Sequence, residues 1–328
     1  MALSLFFALL MAEGALRFLK KNITYNEMLG YNRYASPYWN NRNNWYVYDP
    51  LDTFSMLRKD FHYYRTTNSL GIPERELNLT GTGNTKKILC LGDSFTEGIG
   101  APADSTWPRF LERYLNSACN DSFIVYNAGI SGSDPIYEAH LLRGKLWDID
   151  WHTVIFCINT TDIEDCKIRG GNERFFADSL VTYRQAPAWE PFYAASYLFR
   201  FVINNILRYD RVLMSEEKSK KLEADSAKAI WLTLQKAKTE LDARGISLMV
   251  VVQPLKGEAE TNSFHSNYMD SLLLLLSDLK PVNLLSYFAD SLPRGQKSKD
   301  LYWITDNHFK PEGYKLMAWR IGKEFCVN

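Results

Sequence analysis

An α/β fold with a parallel sheet, closed into a three-layer α/β/α sandwich of flavodoxin-like type, is what the sequence predicts. Three observations carry that expectation. From Lys87 onward, apolar runs of strand length alternate with helical stretches, the pattern of a sheet with helices on both faces. The strand runs are close to continuously apolar, as in Ile88-Leu89-Cys90-Leu91, which suits strands covered on both faces. The first run ends in Gly92-Asp93-Ser94, a turn that displays a serine at the carboxyl end of a strand, where open α/β sheets place their ligands.

Each element follows from its local pattern. After the first strand, a helix is predicted over 105–117 and a strand over 123–126. Residues 135–146 read as a helix, with Ile136, Ala139, Leu142 and Leu146 on one face. Thr153-Val-Ile-Phe-Cys-Ile158 is the third strand. A long helix spans about 221–243 and is closed by Gly245 at a capping position. The strand 246–252 follows and Pro254 ends it, then a leucine-rich helix over 266–279 and a last short strand over 282–285. Pro311 suits the first turn of a final helix, whose apolar face holds Tyr314, Leu316, Met317, Ala318 and Ile321.

Two of these segments carry chemistry. The hydroxyl of Ser94 is a nucleophile if the fold brings a base beside it, and a turn cap if it does not. Asp306 precedes His308 by two residues, just ahead of the last helix. A carboxylate so placed can hold one imidazole nitrogen and leave the other to take a proton from a serine. The remaining histidines, His62, His140, His152 and His265, have no such setting and read as structural.

Together, Gly92-Asp93-Ser94 and Asp306-Asn307-His308 resemble the first and last motifs of the SGNH, or GDSL-type, hydrolase superfamily. Val125-Tyr-Asn-Ala-Gly-Ile-Ser-Gly132 resembles the second motif, and the resemblance implies an oxyanion N–H from Gly129. The third motif, ordinarily Gly-x-Asn-Asp, corresponds to Asn159-Thr-Thr-Asp162, so Thr161 stands at the asparagine position and Asn159 at the glycine position. A threonine hydroxyl is a shorter and different donor from an amide. The resemblance implies a serine esterase with catalytic Ser94, His308 and Asp306, and an oxyanion hole from Ser94, Gly129 and either Thr161 or Asn159. Its substrate would be an acyl, above all acetyl, ester of a small molecule or glycan. Transfer of the acyl group to a polysaccharide uses the same triad and stays open. So does a non-catalytic glycan-binding or assembly scaffold, which the altered third motif would suit.

The rest of the chain sets its organisation. Residues 85–328 form the hydrolase-like domain, with an insertion at about 167–220 whose Tyr193, Tyr197, Phe199 and Phe201 either cap the site or pack an ordinary helix. Residues 22–84 are an aromatic-rich extension that includes Tyr38, Trp39, Trp45, Tyr46 and Tyr48. It reads as a sugar platform or as a layer wrapping the domain. Its segment Thr66-Thr-Asn-Ser-Leu-Gly-Ile72 resembles one found upstream of the catalytic domain in membrane-anchored bacterial members of the superfamily. Residues 1–21 begin with the apolar run Ala2 to Ala12, shorter than the about 20 residues of a spanning helix and of signal-peptide core length. Three basic residues follow the run and none precedes it, the wrong polarity for an exported C-terminus, and an ordinary surface helix is the competing reading. The resemblance implies an extracytoplasmic enzyme attached to a membrane through this segment. Net charge is zero over 328 residues, giving no pull toward nucleic acid. The five cysteines have no metal-ligand spacing, Cys90 and Cys157 fall in buried strands, and neither metal nor cofactor is expected.

Overall fold

The computed structural model of the chain describes residues 2–19, 47–76, 83–175, 188–209, 214–290, 292 and 297–325. Tyr38, Trp39, Trp45 and Tyr46 of the aromatic-rich extension lie outside the described residues.

Helix α1 (Ala2–Leu19) opens the chain. Leu5, Phe6, Phe7, Leu9, Leu10 and Met11 are all exposed, so apolar side chains face outward around the full circumference. Its other end is tied down. Glu13 accepts hydrogen bonds from Ser196 Oγ (2.8 Å) and from the Tyr197 and Leu198 N–H groups (3.0 and 2.8 Å). Among the described residues no helix is long and apolar enough to cross a membrane.

Strands β1 (Thr53–Leu57) and β2 (His62–Thr66) form an antiparallel hairpin with no counterpart among the predicted elements. Alternation places Met56, Tyr63 and Arg65 inward. The main domain then runs β3 (Lys86–Gly92), α2 (Ser94–Glu97), α3 (Trp107–Ala118), β4 (Phe123–Asn127), α4 (Pro135–Leu141), β5 (Thr153–Ile158) and α5 (Thr160–Arg169). Short helices α6 (Glu190–Ala195) and α7 (Tyr197–Phe201) precede the long α8 (Glu216–Asp242). After these come β6 (Ser247–Val252), α9 (Lys256–Thr261), α10 (Asn267–Leu275), β7 (Val282–Asn283), α11 (Leu284–Asp290) and α12 (Pro311–Lys323).

The five-stranded sheet has the order β4-β3-β5-β6-β7 with every pair parallel. This is the flavodoxin-like order, whose switch point falls between β3 and β5. Alternate residues of each strand feed two cores. Leu89, Leu91, Val154, Phe156 and Val250 meet α4, α8 and α10, whereas Ile88, Cys90, Ile155, Cys157 and Val251 meet α3, α11 and α12. The three-layer α/β/α sandwich is thus in place.

Several boundaries differ from the sequence expectation for local reasons. The long helix starts earlier, at Glu216, because Ser215 caps it by accepting the Lys218 N–H and two glutamates fill the first turn. The helix predicted to Leu146 ends as α-helix at Leu141 and continues as one π-turn. The strand predicted over 282–285 stops at Asn283, whose side chain accepts the Leu285 N–H and turns the chain into α11. Lys167 belongs to α5 and Lys220 to α8. Tyr193 of the insertion is buried, in a cluster with Trp189, Phe199, Ile203 and Tyr209.

The edge of the sheet is closed by side chains. Alternate N–H groups of β4 are accepted by Asn116 Oδ1 (Phe123, 2.9 Å), Glu112 Oε2 (Val125, 2.7 Å) and Glu74 Oε2 (Asn127, 3.0 Å). An edge saturated in this way offers no template for a further strand.

Phe156 lies in the central strand with no exposed surface. Truncation in Phe156→Ala is expected to cost about 3–5 kcal/mol of unfolding free energy in urea titrations. A loss under about 1 kcal/mol would contradict its place in the core.

Candidate active site

The site begins where β3 runs into α2. A Cβ on Gly92 would stand 2.1 Å from Thr96 Oγ1 and 3.0 Å from the Cys157 carbonyl, so only glycine lets strand and helix approach this closely. Asp93 caps α2 by accepting the Phe95 N–H at 2.9 Å. Ser94 is the first residue of that helix, so its N–H has no intrahelical partner, and its side chain stands at the switch point.

The second half comes from the loop before α12. Tyr302 bridges to Phe309, and the Trp303 N–H donates to the His308 carbonyl at 3.1 Å, which pinches residues 303–308 into a closed loop. Lys256 Nζ binds the Trp303 and Ile304 carbonyls at 2.7 and 2.8 Å. The Phe95 ring packs against the His308 ring at 4.8 Å.

This brings three predicted residues into line. His308 Nε2 lies 2.7 Å from Ser94 Oγ, and His308 Nδ1 lies 2.5 Å from Asp306 Oδ1. Asp306 Oδ1 also accepts the His308 N–H at 2.9 Å. Burial alone would raise the Asp306 carboxyl, but the hydrogen bonds and charge attraction of His308 outweigh it and hold it below its ordinary value. His62 is exposed, His140 stacks on Phe175, and His152 and His265 bond to threonines. None of the four contacts Ser94.

The predicted oxyanion donors are placed differently. Asn159 Nδ2 donates to Asp93 Oδ2 at 3.0 Å, while Asn159 Oδ1 accepts the Thr161 N–H at 2.8 Å and the Thr161 hydroxyl at 2.6 Å. The single hydroxyl proton of Thr161 is thereby committed, whereas the Asn159 amide keeps a second N–H. Burial pushes the Asp93 carboxyl up, and the bond from Asn159 is the largest influence opposing it. Gly129 donates its N–H to Asn127 Oδ1 at 2.9 Å. A Cβ there would meet the Glu97 nitrogen at 2.1 Å, so this glycine permits close packing against α2. Gly132, in the same motif, has an N–H with no hydrogen-bond partner among the described residues. It lies two residues beyond Ile130, whose N–H is held by the Gly92 carbonyl at 3.0 Å.

Sequence reasoning passed over Glu97. It is buried within α2, where it accepts the Tyr48 hydroxyl at 2.9 Å and the Ser131 N–H at 2.7 Å. The signal was a charged residue one turn after the serine, inside an otherwise apolar stretch. Among the described residues no group of His, Cys, Asp and Glu is arranged to hold a metal ion.

Because the Thr161 hydroxyl is turned toward Asn159, Thr161→Val is expected to leave kcat within about threefold of wild type. Asn159→Ala, which frees both Asp93 and Thr161, should lower it by about tenfold or more. Steady-state kinetics of the two variants side by side provide the check, and the reverse ranking would reject this order.

The sequence matches the GDSL-like Lipase/Acylhydrolase family over residues 90–316. No curated protein matches the chain. Among solved structures, a putative lipolytic protein of the G-D-S-L family from Desulfitobacterium hafniense is 12% identical, covering 73% of this chain and 98% of that one with a TM-score of 0.40. A lipase/acylhydrolase from Enterococcus faecalis is 13% identical, covering 74% and 95% with a TM-score of 0.41. An acetyl-xylooligosaccharide esterase variant from Geobacillus is 13% identical, covering 76% and 97% with a TM-score of 0.43. The matched segment runs from β3 through Ser94 and His308 into α12, and the chain belongs to the GDSL-like lipase/acylhydrolase family of ester-hydrolysing enzymes.

Proposed function

We propose that this enzyme is a serine esterase working through an acyl-enzyme on acetyl esters of a carbohydrate. The observation that carries the chemistry is the hydrogen-bonded line from Ser94 through His308 to Asp306. Ser94 Oγ attacks the ester carbonyl carbon as His308 Nε2 takes its proton, and Asp306 stabilises the resulting imidazolium. Collapse of the tetrahedral intermediate breaks the bond to the alcohol, which leaves with the proton from His308. Water, deprotonated by the same nitrogen, then releases the acid and restores Ser94.

Two backbone N–H groups, those of Ser94 and Gly132, are the donors we assign to the oxyanion. Both lack a partner among the described residues, whereas Gly129 and Thr161 are engaged elsewhere. Donors of this kind contribute about 2.7–4 kcal/mol each in the transition state.

We place the carbohydrate part of the substrate in the polar cleft beside the loop after β5, which begins at Thr160 and is lined by neither Ser94 nor His308. That cleft, of ≈ 360 Å³, is lined by Thr160, Glu164, Glu223, His265, Ser266 and Asn267, with Ile163 and Tyr268. Its hydroxyl, carboxylate and amide groups suit a hydroxyl-rich ligand better than an acyl chain. A sugar hydroxyl replacing water as acceptor would turn the same acyl-enzyme to transfer. We further propose an extracytoplasmic site of action, with α1 held at a membrane. Its support is the disulfide at Cys119 and the outward apolar surface of α1. Recovery of the native protein in the cytosolic fraction with Cys119 reduced would refute that placement.

Ser94→Ala should fold as wild type and lose turnover of p-nitrophenyl acetate and labelling by a fluorophosphonate. With an O-acetylated polysaccharide, wild type should release acetate in proportion to enzyme. Turnover retained by folded Ser94→Ala would sink the mechanism, and acetyl-glycan formation without free acetate would favour the transferase.

A further inference from the structure

Asp60 and Arg65 precede the matched family segment, yet both bind the loops that carry the triad. Asp60 lies in the turn between β1 and β2. Its Oδ2 accepts the Thr305 N–H at 2.5 Å and the Thr305 hydroxyl at 2.9 Å. The Thr305 N–H is the main reason the Asp60 carboxyl stays below its ordinary value, and the Asp306 N–H contributes in the same direction. The residue immediately before Asp306 is therefore held by this carboxylate through both its N–H and its hydroxyl.

The opposite strand of the hairpin holds the other loop. Arg65, only 2% exposed, donates to the carbonyls of Glu97 (2.5 Å), Gly98 (3.1 Å) and Ala101 (2.7 Å), the last residue of α2 and two in the loop that follows it. The Tyr63 hydroxyl accepts the Gly100 N–H at 3.3 Å. Phe61 packs on Trp303 at 5.5 Å, and Trp303 Nε1 donates to the Gly100 carbonyl at 3.0 Å. The hairpin thus touches both loops and the indole that joins them.

We propose that hairpin β1–β2 is the positioning element of the esterase site, with Asp60 acting through Asp306 and Arg65 acting through α2. The inference rests on the Ser94–His308–Asp306 reading above. Its physical basis is that the loop of Asp306 is exposed at Ile304 and Thr305, so little apolar burial fixes it. A carboxylate that holds the Thr305 N–H and hydroxyl fixes the position from which Asp306 meets the imidazole. Asp60 touches neither substrate nor the reacting atoms.

Asp60→Ala should lower kcat for p-nitrophenyl acetate, because a 1 Å displacement of a positioned group can cost about 10²-fold, while KM stays within about threefold. The rate is expressed per active site, counted by fluorophosphonate labelling, so that unfolded protein does not enter it. Asp60→Asn keeps one acceptor oxygen and should recover most of the loss. In the double variant with Asp306→Ala, Asp60→Ala should add no further loss, since its effect passes through Asp306. A wild-type kcat in Asp60→Ala, no recovery in Asp60→Asn, or losses that multiply in the double variant would each overturn the assignment. Activity persisting in folded Ser94→Ala would instead remove the triad reading itself. An inactive Ser94→Ala beside a fully active Asp60→Ala would remove the hairpin's role alone.

Discussion

The hydrogen bond between Ser94 and His308 joins positions 214 residues apart, and the surroundings of both residues are organised to make that meeting reproducible. Chain connectivity does nothing to hold two such distant loops together. Their approach is set by packing, through the contact of α3 with α12 and the burial of Phe309 and Tyr314 beneath the site. The Tyr314 hydroxyl donates to the Ile99 carbonyl at 2.7 Å, so the last helix also holds the loop that follows the serine. A nucleophile on a short helix and a base on an exposed loop acquire a defined separation because both loops are bonded to the same buried layer. Such anchoring serves catalysis because loss of alignment is costly long before contact is lost.

Electrostatics separates the carboxylates around this bond. Asp93 precedes the serine and Asp306 bonds the imidazole, and their environments push them in opposite directions. Asp93 is buried and goes up, whereas Asp306 is held down by His308 despite partial burial. Asp162 is pushed well up by burial and then by the nearby charges of Asp93 and Glu138. The anion beside the imidazole is therefore Asp306, and the buried acids serve as hydrogen-bonding scaffold for the loop after β5. Linkage has a definite sign here. A carboxyl lowered in the fold adds stability above its unfolded value, and that contribution disappears as pH falls through the folded one. The raised acids act oppositely, favouring the fold most when protonated. Asp306 and the buried set therefore pull stability in different directions as the medium turns acid.

What was legible in the sequence follows from what is local. Strand-length apolar runs, the Pro-led last helix and the Gly92-Asp93-Ser94 turn are short-range patterns, and the sheet and the serine turn appear where those patterns place them. Asp306 and His308 could be paired because they are two residues apart. The oxyanion donors were harder to read, because a donor is defined by where its hydrogen points. The Gly129 N–H goes to Asn127 and the Thr161 hydroxyl to Asn159, and both are tertiary facts that a motif cannot express. The hairpin escaped notice for a related reason. His62-Tyr-Tyr-Arg-Thr66 buries an arginine where alternation leads one to expect an apolar side chain, and three carbonyls of a distant loop make that burial tolerable.

The matched family segment contains the reacting groups but leaves several of its own polar atoms for the N-terminal residues to satisfy. Glu97 is buried and needs the Tyr48 hydroxyl, and the Asn127 N–H at the end of the edge strand needs Glu74. Glu74 is in turn paired with Arg109 of α3, which also donates to the Val125 carbonyl at 3.0 Å. Stripping these partners away would strand a carboxylate and a backbone N–H in surroundings that exclude water, a cost larger than the worth of either bond taken singly. Residues 47–76 therefore complete the domain in the physical sense, because the groups they satisfy lie in α2, at the end of β4 and in the loop after α2. The elements that carry the serine and the elements that precede them in sequence form one hydrogen-bonded unit, and the geometry at Ser94 is a property of that unit.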